Sequence, residues 1–545
     1  MIPRSRAAMS SSAAAPLYFQ RSKWSLSSVV LPFAALTFLP VLWIVTSWAS
    51  VSWDLWQHLW DTQLTGLIWN TLRLAFGVFI GTSLLGTCLA WVVSRYEFPG
   101  RAFFEWALVL PFAIPAYVFA FIVVGTFDGA STTMMQFRNW SGLDIWPNIR
   151  NYWGVLLSFI FAFYPYVYLL VRSTLKRQGQ EMYEVAQTLG CHQFSLLYRV
   201  ALPVAWPAIV TGAGLSVMEA LADFGAVAIF NYNTFTTAIY KSWFGFFSIQ
   251  TAAQLATFLI VAVILWRSLE AGLLYGREPH REKSAKTKPL ERVKCGPIAR
   301  WCCFFSFSML LLLTVGVPLW RLISWAIEAW DKQVLEHFIG HLGHSLVLAL
   351  SGGVLVVLGA LVLSLAARLD ARQRVLMGVR CATLGYALPG SILAVGLMLA
   401  FAFLEKKLQY LGVNVVLIGT PAVLLIAYVV RFMAVGFSGT STALTEIQPF
   451  LGEAAQVLGV SLRRRCASIY APLMAPGLMA TLLLVSVDIL KEMPATLLLR
   501  PLGWDTLAVS IFGYTSEGDW AYAALPSIAL VFIGLIPVYI LVKRY

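Results

Sequence analysis

Two pairs of acidic residues lie inside otherwise apolar stretches of this chain. Glu219 and Asp223 occur in Val217-Met218-Glu219-Ala220-Leu221-Ala222-Asp223-Phe224-Gly225, and Asp488 and Glu492 in Val487-Asp488-Ile489-Leu490-Lys491-Glu492-Met493-Pro494. Each pair is spaced i, i+4, which on a helix puts both carboxylates on one face. Ionised groups are costly in hydrocarbon, so residues of this kind are functional candidates by default. Oxygen-only anionic groups suit a hard cation and repel phosphate, sulfate or molybdate. Glu219, Asp223, Asp488 and Glu492 are therefore expected either to line a cation pathway, with metal ligation as one form of that role, or to act as a gate. A plainer role is bonding between helices, with Lys491 neutralising Glu492 or Asp488.

The elements that carry these acids are membrane helices. The chain has 545 residues, of which 59% are hydrophobic and 12% charged, with a mean hydropathy of +0.75. Soluble chains are roughly 45–50% apolar and about 25% charged, so a water-soluble fold is excluded. Apolar runs at 27–50, 67–94, 103–126, 153–172, 207–230, 251–270, 301–325, 345–367, 381–404, 414–437, 474–497 and 523–542 predict an all-α polytopic protein of about twelve spans. The net charge of +13 forms no patch for nucleic acid. With the N-terminus inside, most basic residues, from Arg4 to Arg544 and including Arg172, Lys176 and Arg431, fall in cytoplasmic segments. That bias predicts cytoplasmic termini. The run from Ser25 to Ala49 is longer than a signal-peptide core and reads as a retained helix. Seven cysteines without a CxxC pair support neither a disulfide framework nor a zinc site.

The chain repeats itself. Asn70-Thr71-Leu72 aligns with His344-Ser345-Leu346, and Pro115 with Pro389, at a separation of 274. Glu184, Gly190 and Pro203 align with Glu453, Gly459 and Pro472 at 269, as do Glu219 with Asp488 and Asp223 with Glu492. One five-residue gap reconciles the two registers. This predicts a first six-helix repeat with an N-terminal tail over 1–275, a basic cytoplasmic linker over 276–300 and a second repeat over 301–545. Six spans is an even number, so the repeats are parallel, related by an axis along the membrane normal. In the middle of each half, Glu184-Val185-Ala186-Gln187-Thr188-Leu189-Gly190 matches Glu453-Ala454-Ala455-Gln456-Val457-Leu458-Gly459. The pattern suits a short amphipathic helix, a turn permitted by glycine and a second helix stopped before Pro203 or Pro472.

These segments resemble the EAA loops of ABC-importer permeases, the coupling helices that dock on nucleotide-binding ATPase subunits. The resemblance covers essentially everything after Trp53 and recurs in both halves. Val185 departs from it, standing where the second copy has Ala454. It implies that Glu184, Ala186, Gly190, Pro203, Glu453, Ala454, Ala455, Gly459 and Pro472 couple to two copies of a cytoplasmic ATPase. No GxxxxGK[ST] occurs, so no P-loop is present and this chain is expected to be a transport subunit rather than an enzyme. ATP and Mg belong on the partner, and this chain binds no cofactor. The run from Asp488 to Pro501, with Trp504-Asp505-Thr506-Leu507-Ala508 and the earlier Ala222-Asp223-Phe224-Gly225, is similar to ferric-iron permeases that work with a periplasmic binding protein. That likeness implies Fe3+ import across the bacterial inner membrane by alternating access. Thiamine or polyamine import within the same family is the alternative, and an ion-coupled secondary transporter using the same carboxylates is a second class. His337, His341 and His344, on one helical face, are weighed as a borderline-metal site against ordinary interfacial residues.

Overall fold

The computed structural model describes residues 26–544 apart from 52, 130, 143–147, 178–179, 276–291, 295, 331 and 371. The N-terminal tail and most of the 276–300 linker lie outside the described residues. Among those described, eleven helices are long and apolar enough to cross a membrane, and a twelfth span is a bent pair. The halves match element for element. Thr65–Arg95, Tyr152–Arg177, Leu202–Ala222 and Ile249–Leu274 in the first correspond to Lys332–Leu369, Pro421–Thr445, Ala471–Lys491 and Trp520–Arg544 in the second.

Several apolar runs read as single spans are broken. In the 103–126 run, Arg101–Ala107 is followed by a 3-10 turn, Leu110–Ala113, before a helix over Ala116–Phe127. In the 381–404 run, Gln373–Ala387 and Gly390–Tyr410 meet at 113°. Both breaks fall at prolines. Ile114 (ψ 116°) and Leu388 (ψ 121°) are extended, as steric conflict with a following proline ring requires, and Pro115 and Pro389 start the next helices. The 207–230 and 474–497 runs also break. Leu202–Ala222 ends before a short Gly225–Ile229 helix, and Ala471–Lys491 before Pro494–Leu499. The 414–437 run sits in a helix displaced to Pro421–Thr445, because Pro421 occupies its first turn.

The first helix of each half packs on the opposite half. Ser27–Thr46 lies against Gln373–Thr383 and Gly390–Tyr410. Thr37 Oγ1 donates to the Ala382 carbonyl at 3.2 Å, and Trp43 meets Phe403 at 4.5 Å between ring centres. A Cβ on Gly396 would stand 2.5 Å from the Pro40 carbonyl oxygen, so glycine permits that crossing. Reciprocally, Phe304 and Phe307 of the Pro297–Leu311 helix stack on Phe98 and Phe104, and Arg321 Nε donates to Thr126 Oγ1 at 3.2 Å. A two-residue parallel ladder, Tyr96–Glu97 on Val293–Lys294, ties the end of the linker to the first half.

Near the coupling loop, Glu105 on the Arg101–Ala107 helix gathers three cations. Lys176 Nζ approaches at 2.6 Å and Arg101 Nη1 at 3.1 Å, and Arg172 also pairs with it. Burial works to raise the Glu105 pKa, but the hydrogen bonds and charges of Lys176 and Arg172 outweigh it and hold the carboxyl down at about 2. Its ionised form therefore stabilises the fold fully above the ordinary value of 4.5, and that stabilisation is lost as pH falls toward 2. E105Q should lower stability at pH 7 by roughly 1–3 kcal/mol. In thermal unfolding of detergent-solubilised protein, its difference from the parent should narrow between pH 4.5 and 2; equal unfolding at pH 7 would remove this role.

Candidate functional site: coupling loops and an acidic centre

Both mid-half loops have the same local structure. The first helix is Gln180–Thr188 or Pro449–Val457. Glu184, Glu453 and Ala454 are exposed, whereas Ala186 and Ala455 are buried. The helices end in the same pair of hydrogen bonds, Gly190 N to Gln187 O and Cys191 N to Ala186 O in one, Gly459 N to Gln456 O and Val460 N to Ala455 O in the other. This six-to-one closure needs a left-handed residue, and Gly190 (φ 86°) and Gly459 (φ 75°) supply it. Leu189 and Leu458 then project into the open, as does Val457.

The expectation that the second loop helix stops before proline is corrected. Gln193–Leu196 passes through a π-helical turn, Leu197–Ala201, straight into Leu202–Ala222, with Pro203 in its first turn. Leu462–Arg465, Cys466–Tyr470 and Ala471–Lys491, with Pro472, repeat this. The widened turn makes room for a ring that has no amide hydrogen to donate, so each loop helix is the direct extension of a membrane helix.

Sequence alignment also passed over an exchange between the loops. Tyr183 is fully buried beside Trp91 and under Arg95, whereas its counterpart is Gly452, where a Cβ would stand 2.1 Å from the Tyr470 hydroxyl. The counterpart of Tyr470 is Ala201. One aromatic ring fills this space in each half, supplied from opposite ends of the loop.

Glu219 and Glu492 lie within electrostatic reach of each other and of Asp223 and Asp488 at the junction of the halves, in unlike roles. Asp223 and Glu492 do not continue the helical face of Glu219 and Asp488; they sit at the helix C-caps in extended conformation. Asp223 Oδ1 accepts from Ala226 N at 2.7 Å and Glu492 Oε1 from Ala495 N at 3.1 Å, so each satisfies the start of the next short helix. Glu492 Oε2 also pairs with Arg431 Nε at 2.8 Å, both side chains being largely buried. Arg431, assigned by sequence to a cytoplasmic segment, is inside the Pro421–Thr445 helix. Lys491 stands near Asp488 and donates to the Phe112 carbonyl at 3.4 Å, whereas the cation paired with Glu492 is Arg431.

Glu219 is bridged across the halves by the Tyr386 hydroxyl, which donates to Oε1 at 3.0 Å, and the Tyr166 phenol stands beside it. Toward the end opposite the coupling loops, Phe224 meets Phe512 of the other half at 5.1 Å between tilted rings, beneath a depression lined by Arg150, Asn231 and Lys241. Among the described residues no three carboxylate, imidazole or thiol groups stand together to hold a metal ion. The four acids therefore do not form a closed ligand set in this conformation, because two are engaged as caps. The histidines also form no such group; His344 stacks on Trp504 and contacts the Asp505 carbonyl at 3.3 Å.

An all-α pair of parallel repeats, each with a loop of this form, defines a membrane permease. The family described as binding-protein-dependent transport system inner membrane component matches residues 82–269. The Fe(3+)-transport system permease protein FbpB 2 of Haemophilus influenzae is 29% identical over 496 residues, spanning 90% of this chain and 92% of that protein. The sulfate transport system permease protein CysT of Escherichia coli is 30% identical over 248 residues, 45% of this chain and 87% of its own. A probable sulfate transport system permease protein cysT of Chlorella vulgaris is 31% identical over 204 residues, covering 75% of that protein. The chain belongs to this family of ABC-importer permeases, in its fused two-repeat form, and is a multi-pass transport subunit.

Removing Arg431 alone would leave the buried Glu492 carboxyl without its partner, at a cost of about 3–5 kcal/mol. R431A should sharply lower the unfolding temperature of the purified protein, and R431M/E492Q should recover most of the loss. If R431A unfolds like the parent, the pair is not structural.

Proposed function

We propose that the chain is the translocation subunit of an ATP-driven importer of ferric iron, receiving Fe3+ from a periplasmic binding protein. The observation that carries this reading is the likeness to an Fe(3+)-transport permease along 90% of the chain. The sulfate permeases match about half of the chain or less. The chemistry of the centre agrees: four carboxyl groups beside Arg431 and Lys491 supply the oxygen donors that suit a hard cation rather than an oxyanion.

The energy enters through the loops. Glu184, Ala186, Gly190 and Pro203, with Glu453, Ala454, Ala455, Gly459 and Pro472, form two seats for two ATPase subunits that carry ATP and Mg. Leu189, Leu458 and Val457 add exposed apolar area for that contact. Each loop helix continues into a helix that ends at the acidic centre, so displacement at the loop is transmitted along a rigid rod to Glu219 and Asp488. Closure of the ATPase dimer moves the two rods together at one face and opens the path at the other. Cargo then moves because the two conformations differ in affinity. The cytoplasmic termini, the division at 1–275, 276–300 and 301–545, and the absence of any cofactor on this chain belong to the same proposal.

In proteoliposomes containing permease, ATPase and loaded binding protein, E184K/E453K should weaken ATPase retention about tenfold, equivalent to about 1.4 kcal/mol of contact energy. ATP-driven 55Fe uptake should fall with it. Unchanged uptake would remove the coupling role, and uptake of sulfate in place of iron would overturn the substrate.

A further inference from the structure

The acids alone do not surround a cation, but phenols stand with them. Glu219 accepts a hydrogen bond from Tyr386 of the second half at 3.0 Å, and the Tyr166 phenol of the first stands beside it. Asp488 lies within electrostatic reach of both phenols. Beside this group, Tyr117 is 5% exposed, its hydroxyl has no hydrogen-bond partner, and Asp223 and Glu492 are within electrostatic reach of it. A buried hydroxyl left unsatisfied is rare and calls for an explanation. Its repeat counterpart Ser391, likewise two residues after a helix-breaking proline, is 3% exposed and its hydroxyl also has no partner.

We propose that the ferric ion passes between the halves on phenolate and carboxylate oxygens together, held by Tyr166, Tyr386, Glu219 and Asp488 and handed on past Tyr117 beside Asp223. This rests on the ferric reading above and names the ligands. Fe3+ is a hard ion, and phenolate is a hard anionic oxygen donor. Phenols are neutral until the ion arrives, so they crowd around Glu219 without the mutual repulsion that further carboxylates would bring. On binding, each phenolic O–H bond breaks and an Fe–O bond forms. Each proton passes to a neighbouring carboxylate, Glu219 or Asp488, before that oxygen binds the ion, and then to water, and the iron remains ferric. Because Tyr166 and Glu219 belong to one half and Tyr386 and Asp488 to the other, tilting one half against the other divides the ligand set and lowers affinity when release is needed.

The test uses the full chain in lipid nanodiscs, titrated with ferric nitrilotriacetate, together with 55Fe uptake by the complete transporter in proteoliposomes. The parent should develop the visible charge-transfer absorption of ferric phenolate, and Y166F/Y386F should lose it. Uptake should fall about tenfold or more in Y166F/Y386F, the scale of losing metal-site contacts, and by a smaller factor in Y117F. Co-purification with the ATPase and an unchanged gel-filtration profile establish that these variants assemble. Iron binding without the absorption band, or uptake by assembled Y166F/Y386F equal to the parent, overturns the phenolate ligands while leaving iron import standing. Failure of the parent transporter to move iron at all overturns both.

Discussion

Hydrocarbon supplies no hydrogen bonds, so a helix that starts or stops inside a bilayer must find partners within the protein. This chain interrupts its helices at the centre, and the constraint organises what surrounds each interruption. Prolines open two of the breaks, since their missing amide removes one unsatisfied donor. At the other two, Asp223 and Glu492 bend back to cap the short helices that follow. A carboxylate used in this way brings charge to the interior, and in the second half Arg431 answers it. The acidic centre is thus first a solution to backbone solvation. Glu219 and Asp488 have no such capping task, and Glu219 instead meets the Tyr386 phenol of the other half.

The two halves solve this problem with different residues. Arg431 aligns with Ala162, so Asp223 has no equivalent guanidinium opposite it. Tyr117 aligns with Ser391, and Tyr183 and Ala201 with Gly452 and Tyr470. The Tyr183 and Tyr470 exchange keeps one ring in each half, whereas Arg431 gives the second half a cation where the first has an alanine. The two loops accordingly offer two similar but unlike surfaces, one stiffened by Trp91, Tyr183 and Arg95 and the other by Arg465, which donates to Gln456 and the Gly452 carbonyl.

The sequence made the larger design legible because duplication acts as an internal control: spacings of 274 and 269 recur only if both copies share a fold. Gly190 and Gly459 were readable for the same reason, each marking a left-handed turn. The helix breaks were hidden, since hydropathy counts apolar residues and does not register a 113° bend at Pro389. The i, i+4 spacing suggested one carboxylate face because nothing in Asp223 or Glu492 announces a C-cap. Arg431 was misplaced because a lone arginine in a long apolar run looks like a boundary when its partner is distant in sequence. Tyr166 and Tyr386 carry no signal in the sequence because aromatic residues count toward the apolar total, although both phenols stand at Glu219.

The exchanged first helices set a condition on how the molecule can move. Ser27–Thr46 rides on the second half, and the Pro297–Glu328 segment lies between the first half and the Trp520–Arg544 helix of its own, so the halves interlock. Hinge motion between them cannot be a simple parting of two blocks. It resembles two people with linked elbows who can lean and turn but cannot step away, and it would remain so if the linker between them were cut.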